Sequence, residues 1–124
     1  MAKNSLLKFH NIVNGDMSAS SITSIVTNIQ NLDNFGIQLT WAGASPVGVV
    51  SVQTSISYNQ DAEGNVTSVG SWDTIPITPT PSVSGNTGSM TIDMNQIPSP
   101  WIRVVYTKTS GTGILNSYIC GKAV

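Results

Sequence analysis

The sequence predicts an all-β protein, a single antiparallel β-sandwich, jelly-roll-like, with about eight strands. Apolar residues alternate with polar ones in several segments, which is typical of strands with one buried face, whereas helical periodicity is nearly absent. Turn-forming residues separate these segments at short intervals. The chain has 124 residues, which suffice for one core but leave no room for the crossover helices of a parallel sheet.

The predicted strands follow one another along the whole chain. Weaker patterns predict strands over residues 6–13, 22–29 and 66–75. Regular alternation predicts strands over residues 35–41, 50–58, 90–94, 102–107 and 115–119. Residues 110–113 have the composition of a tight turn, so the last two strands are predicted to form a β-hairpin. Further turns are predicted at residues 14–16, 42–46, 63–65 and 84–86.

Proline-rich segments mark irregular connections. Residues 75–81 contain three prolines and lack the three amide donors that an interior strand needs, so we expect an extended edge or a loop. Residues 95–100 are a second rigid connection, which leads to the strand beginning at Trp101. We divide the chain into an N-terminal arm or first strand, residues 1–21, and a β-sandwich domain, residues 22–124.

The inward faces of the predicted strands define a core. We expect it to contain Ile37, Leu39, Val52, Ile56, Ile92, Ile102, Val104 and Ile119. The single cysteine, Cys120, excludes a disulfide within the chain. Because Cys120 lies in an apolar strand, we expect a buried and inert thiol.

Composition excludes several classes of partner. Charged residues make up 9% of the chain, with five basic and six acidic side chains scattered along it. Without a cluster of Lys or Arg, nucleic-acid binding lacks its electrostatic basis. No apolar run approaches the roughly 20 residues that span a bilayer, and no secretory signal is recognised, so we expect no membrane partner and folding in a cytoplasm. Few charges also mean weak repulsion between copies, which favours assembly.

No pattern indicates catalysis, so we expect no enzyme, no cofactor, and no catalytic, cofactor-binding or metal-binding residue. His10 is the only histidine and has no carboxylate beside it in sequence. Residues 59–64 imitate the opening of a calcium loop, but Gly70 stands where the bidentate Glu is needed, and a polar hairpin tip is favoured. Residues 109–113 have the glycines of a phosphate loop without its Lys or helix, which favours a turn.

Carbohydrate binding is the one ligand hypothesis that the residues offer. Aromatic side chains could build a sugar platform from Trp41, Trp72, Trp101, Tyr58, Tyr106 and Tyr118. Aromatic residues on strands more often serve core or sheet packing, which is the competing interpretation. Trp72 lies near a loop and is expected to be the most exposed of the six.

Three stretches of sequence carry a resemblance. They are TNIQNLDNFGIQLTW (27–41), VQTSISY (52–58), and IPSPWIRVVY (97–106) followed by SGTGILN (110–116). In this order they resemble small β-sandwich virion proteins of double-stranded DNA bacteriophages. The arrangement is also similar to discoidin-type, galactose-binding-like sandwiches, in which a Trp-Ile-Arg strand precedes the last hairpin.

The phage resemblance implies a non-enzymatic structural protein of the virion, a capsid decoration or minor capsid protein present in many copies. Its partners would be other copies of itself and other virion proteins, and it would reside in the virion after assembly in the host cytoplasm. A tail or fibre component and a carbohydrate-binding β-sandwich module are the alternatives. The resemblance transfers no catalytic residue.

Overall fold

The computed structural model describes residues 6–30, 32–95, 97 and 99–123. These residues form ten strands and no helix, so the predicted all-β fold class is confirmed. The strands are β1 (Leu6–Asp16), β2 (Ser21–Thr23), β3 (Thr27–Asn28), β4 (Leu32–Ser55), β5 (Asn59–Gln60), β6 (Val66–Ser68), β7 (Asp73–Thr74), β8 (Ser82–Val83), β9 (Thr87–Asn95) and β10 (Trp101–Ala123).

Two long strands, β4 and β10, organise the sandwich. They run antiparallel and pair with each other along almost their whole lengths. Residues 101–108 of β10 pair with residues 48–55 of β4, and residues 112–123 pair with residues 32–44. The two strands therefore form one continuous two-stranded ribbon, and every other strand of the main sheet pairs with one of them.

The ribbon bends at a corner, which we define as residues 43–47 of β4 and 108–113 of β10. The ladder shifts register here, and Ser45 and Gly111 have left-handed backbone with φ of 50° and 82°. Gly43 lies opposite Gly113, and a Cβ on Gly43 would overlap the Cα atom of Gly113. The two backbones approach too closely here for side chains, so this pair requires glycine.

The corner divides the sheet into two layers. In the first layer the strand order is β1–β10–β4–β9, with residues 114–122 of β10 and 32–42 of β4 at its centre. In the second layer residues 101–107 of β10 and 48–55 of β4 are central. There β2 and β3 flank β10, and β7 and β8 flank β4. β5 and β6 form a separate two-stranded hairpin.

Inward-facing residues of both layers form one core. Seven of the eight predicted core residues are buried, namely Ile37, Leu39, Val52, Ile92, Ile102, Val104 and Ile119. The prediction for Ile56 is wrong, because its side chain is 74% exposed. β4 ends at Ser55, so the alternation that would have turned Ile56 inward stops one residue before it.

The predicted hairpin at residues 110–113 is wrong, and so is the predicted turn at residues 42–46. Both segments belong to the corner, where each strand bends and continues. The turns at residues 63–65 and 84–86 are confirmed as connections between successive strands. The predicted turn at residues 14–16 is wrong, because these residues lie within the end of β1, where the pairing with β10 is irregular.

The remaining segments differ in how regular they are. Residues 22–29 contain the short strands β2 and β3, and residues 66–75 contain β6 and β7. Residues 75–81 follow the edge of β4: Ile75 N–H donates to the Val52 carbonyl oxygen at 2.8 Å, and Val50 N–H donates to the Pro81 carbonyl oxygen at 2.9 Å. This confirms the extended edge. Gln96 and Pro98 of the second proline-rich connection lie outside the described residues.

The described part of the N-terminal segment contributes a strand. Residues 6–16 pair with β10 as β1, and the Met17 side chain is fully buried in the core. Residues 1–5 lie outside the described residues. The division of the chain at residue 21 stays a prediction.

Candidate functional site

The candidate site lies at the end of the sandwich where β4 ends and β10 begins. Trp101, the first residue of β10, pairs with Ser55 on one side and with Asn28 of β3 on the other. Beyond Ser55 the chain turns back, because the Ser55 hydroxyl oxygen accepts a 3.0 Å hydrogen bond from Tyr58 N–H. This turn buries the Tyr58 side chain beside Trp101.

Three aromatic rings meet at this end. The Tyr58 and Trp101 rings are 5.0 Å apart and nearly perpendicular, and the Tyr58 and Trp72 rings are 5.5 Å apart and tilted. Edge-to-face contacts of this kind are favourable because the positive ring edge meets a negative ring face. The Arg103 guanidinium lies 4.3 Å from the centre of the Trp72 ring, and its Nε donates to Gln53 Oε1 at 2.7 Å. Arg103 is thereby engaged within the cluster.

Gly70 allows the loop before Trp72 to lie against Tyr58. Its φ is 67°, and a Cβ there would overlap the backbone nitrogen of Tyr58 and lie 2.8 Å from Ser55 Oγ. The next residue is fixed by a 2.8 Å hydrogen bond from Ser71 N–H to the Ser57 hydroxyl oxygen. Trp72 is in turn oriented by its Nε1–H, which donates to the Val69 carbonyl oxygen at 3.0 Å.

Replacing Gly70 with alanine is expected to destabilise the protein and disturb the aromatic cluster. The left-handed backbone and the overlap with Tyr58 together should cost roughly 2–3 kcal/mol. The near-UV circular dichroism of the rings should weaken as well. Gly64 is the matched control, because its φ is 87° but a Cβ there would meet no atom within 4 Å. Equal denaturant midpoints for the two variants would contradict this account of Gly70.

A groove opens beside the aromatic cluster, and we call it the aromatic-end groove. Its volume is about 520 Å³, within the range of small-molecule sites. The residues that line it are Asn28, Gln30, Ile56, Ser57, Tyr58, Asn59, Gln60, Asp61, Pro100 and Trp101. Four amide side chains and one carboxylate thus line the groove together with two aromatic residues, and none of these lining residues is Lys or Arg.

Asp61 organises the tip of the β5–β6 hairpin. Its Oδ1 accepts hydrogen bonds from the backbone N–H groups of Glu63 at 3.0 Å and Asn65 at 2.9 Å. The hydrogen bond from the Asn65 backbone is the main cause that holds the pKa of Asp61 below its ordinary value, so the carboxylate is ionised at neutral pH. Residues 59–64, which resemble the opening of a calcium loop in sequence, therefore belong to a polar hairpin, as predicted from the sequence. Among the described residues no three His, Cys, Asp or Glu side chains are grouped to hold a metal ion.

The other aromatic residues of the sugar hypothesis lie elsewhere. Trp41 and Tyr106 are buried in the core, and Tyr118 packs against His10 on the outer side of the first layer, with 4.2 Å between ring centres. The structure therefore brings together three of the six predicted residues. Trp72 is partly exposed, and so is Trp101, so exposure alone does not single out Trp72.

Cys120 is partly exposed, which corrects the prediction of a buried thiol. Successive side chains of a strand point to opposite faces, and Ile119 points into the core, so Cys120 points outward. It lines a second groove of about 600 Å³ with Lys8, Gln38 and Tyr118.

Sequence reasoning missed the amides of the aromatic-end groove. Asn28 and Gln30 reach it because β3 pairs with the start of β10, a contact between distant parts of the chain. Gln60 was noticed only as part of the calcium-loop imitation. No local pattern distinguishes these residues from other polar residues in loops.

Comparison with known proteins gives likeness of fold without likeness of sequence. No protein-family model matches the chain, and no curated protein matches it.

The described residues contain no helix that is long and apolar enough to cross a membrane.

Several solved structures are similar to this chain. A chain of the T13 viral particle of infectious bursal disease virus is 10% identical with a TM-score of 0.50, over 98% of this chain and 31% of that chain. The SPBc2 prophage-derived protein YomS is 10% identical with a TM-score of 0.48, over 94% of each chain. A xylan-binding domain from CBM 22 is 13% identical with a TM-score of 0.43, over 82% of this chain and 64% of that domain's chain. The likeness to the viral-particle chain shows a shared β-sandwich fold.

Proposed function

We propose that this chain is a non-enzymatic structural component of a virus particle, and more finely a capsid decoration or minor capsid protein of a bacteriophage, present in many copies. The main support is the fold shared with a chain of a viral particle over 98% of this chain. The likeness concerns the sandwich as a unit rather than a fragment of it. A place in the tail or fibre is the alternative within the same class.

An open sheet edge supports a role in assembly. β9 (Thr87–Asn95) pairs with β4, and no described strand lies along its other side. Its only charged residue is Asp93, and it contains no proline. Residues 77–82 border a groove with residues 90–93, but no described strand pairs with this edge, and a neighbouring copy or another virion protein would cover it.

The surface around β1 supports the same interpretation. Three exposed apolar side chains, Val13, Ile25 and Ile114, lie on or next to this strand: Ile25 N–H donates to the Asn11 carbonyl oxygen at 3.1 Å, and Ile114 pairs with Asp16. Contacts made through these three side chains would be apolar. Such contacts depend little on ionic strength, because there are few ion pairs to screen.

Sedimentation of particles from the source of this chain tests the proposal. In a density gradient, an antibody against the chain should detect it in the particle band, and it should stay there through a wash in about 1 M salt, at which charge interactions are screened within about 3 Å. Detection only among free proteins would contradict the particle assignment. Release by moderate salt would contradict the low-charge interface.

A free carbohydrate-binding module is the alternative from another class, and the aromatic-end groove is the observation that favours it. A free module would remain at the top of the same gradient. In the proposed role the protein would reside in the virion after assembly in the host cytoplasm, without nucleic-acid or membrane partners.

A further inference from the structure

We infer that the aromatic-end groove is a binding site for a neutral pyranose sugar, with Trp101 as the surface on which the sugar ring stacks. This goes beyond a structural role in a particle, and it applies equally to a virion component and to a free module. Three features of the groove support this site: a fixed aromatic ring, oriented amides and the sign of the charge.

Trp101 is held rigidly while part of it stays accessible. Its backbone is paired on both sides, with Ser55 and with Asn28, and its ring packs against buried Tyr58 with 5.0 Å between ring centres. One face of a pyranose consists mainly of C–H bonds, which carry slight positive charge and favour the negative face of an aromatic ring. A fixed ring also loses little conformational freedom when a ligand binds.

Two asparagine side chains of the groove are oriented to donate hydrogen bonds. Asn28 Oδ1 accepts from Gln30 N–H at 2.8 Å, and Asn59 Oδ1 accepts from Gln60 N–H at 2.9 Å. Because only the oxygen accepts a backbone N–H, the opposite atom of each amide must be the Nδ2 donor. Neither Nδ2 donates to another described residue, so both remain for a ligand.

Acceptors complement these donors. Gln60 Nε2 donates to the Tyr58 hydroxyl at 2.8 Å, which leaves Gln60 Oε1 as an acceptor. Asp61 Oδ1 is used within the hairpin tip, and Asp61 Oδ2, which accepts from Asn65 Nδ2 at 3.4 Å, retains acceptor capacity. Sugar hydroxyls both donate and accept, so they match a groove that offers both kinds of group. Small ligands are recognised in this way, by a few placed polar groups around an apolar surface.

The charge of the groove selects neutral sugars. Asp61 is the one charged side chain among the described lining residues, and it is negative. Sialic acids and uronic acids would bring a second carboxylate beside it, and like charges at short range repel. Arg103 is not among the lining residues: its guanidinium lies over the Trp72 ring and donates to Gln53.

Binding of soluble oligosaccharides to the full chain tests the inference. The probes are gluco-, galacto- and manno-configured neutral oligosaccharides, with sialylated and uronate-containing ones for comparison. Saturation-transfer NMR from the aromatic protons should label a neutral sugar at dissociation constants near 1 mM or tighter. Trp101→Leu should abolish the signal, whereas Tyr118→Leu, which removes a partly exposed ring outside the groove and the aromatic cluster, should keep it.

A second variant keeps the test valid if Trp101→Leu fails to fold. Asn28→Asp retains the oxygen that accepts Gln30 N–H but removes the Nδ2 donor, and it should weaken binding about tenfold, the effect of losing one ligand hydrogen bond. Asn86→Asp is the matched control: Asn86 Oδ1 accepts Ser45 N–H at 2.9 Å at the corner, outside the groove. It should leave the affinity unchanged.

Three results with the sugar probes and the groove variants would overturn the inference, and a fourth comes from the control variant. The first three are the absence of binding by every neutral oligosaccharide, binding that survives both Trp101→Leu and Asn28→Asp, and a preference for the anionic sugars. Binding lost equally in Asn28→Asp and Asn86→Asp would show a general effect of charge, and it would also overturn the site.

Discussion

Replacing Val104 with aspartate is expected to prevent the protein from folding. Val104 is fully buried at the centre of the second layer, where it pairs with Val52. Its backbone is also hydrogen-bonded to Ser24. Val104 N–H donates to the Ser24 hydroxyl oxygen, and the Val104 carbonyl oxygen accepts from Ser24 N–H, both at 2.8 Å. An unpaired carboxylate there should cost about 4 kcal/mol or more, a large part of the stability of a domain this size.

Circular dichroism and the yield of soluble protein measure this effect. Val13→Asp is the matched control, because it makes the same change at a position of β1 that is 62% exposed. It should shift stability by no more than about 0.5 kcal/mol. A folded Val104→Asp variant with native stability would show that this face of β10 does not form the core.

Replacing Gly111 with alanine is expected to have the second largest effect, because it disturbs the corner on which the two layers depend. Gly111 has a φ of 82°, and a Cβ would overlap the Ser45 carbonyl oxygen and lie 2.7 Å from the Pro46 Cα atom. Conformational strain and steric overlap together should cost roughly 3 kcal/mol, which lowers the melting temperature by about 10 °C.

Gly85 separates the two causes. Its φ is 83°, but the nearest atom to a Cβ there would be 3.9 Å away, so Gly85→Ala carries the strain without the overlap. It should lose about 1 kcal/mol. Melting temperatures that fall equally in the two variants would mean that the close approach of the strands at the corner contributes nothing.

The corner also shows what the sequence could and could not predict. Glycine, serine and threonine at residues 110–113 correctly indicate that the backbone departs from a regular strand, as does the segment 42–46. Composition does not say how far the chain turns. That depends on pairing: both halves of β10 pair with the same strand, β4, and the irregular segments face each other, with Gly43 opposite Gly113. A contact between residues so distant in sequence is invisible to a local pattern.

Single side chains also show which features the sequence could predict and which it could not. Alternation correctly placed Ile37, Leu39 and Val104 inside, because each lies well within a strand. It failed for Ile56, because the place where β4 ends depends on a hydrogen bond between Ser55 and Tyr58 rather than on periodicity. For Cys120, alternation with the inward-facing Ile119 predicts an outward side chain. The prediction of a buried thiol is instead based on the apolar residues around Cys120 in the sequence, and it is wrong.

The candidate site was predictable only in part. The tryptophans and tyrosines are few enough that all six could be named, and three of them meet. The groove beside them depends on Asn28 reaching the start of β10 and on the Tyr58 turn, both of which are consequences of the fold.

Mass spectrometry of purified particles from the source of this chain tests the central claim most directly. A virion component present in many copies is expected to appear in a fixed ratio to a major particle protein, and to keep that ratio through repeated purification. A chain that is absent from the particles, or whose amount falls towards zero with each purification step, would contradict the proposed function.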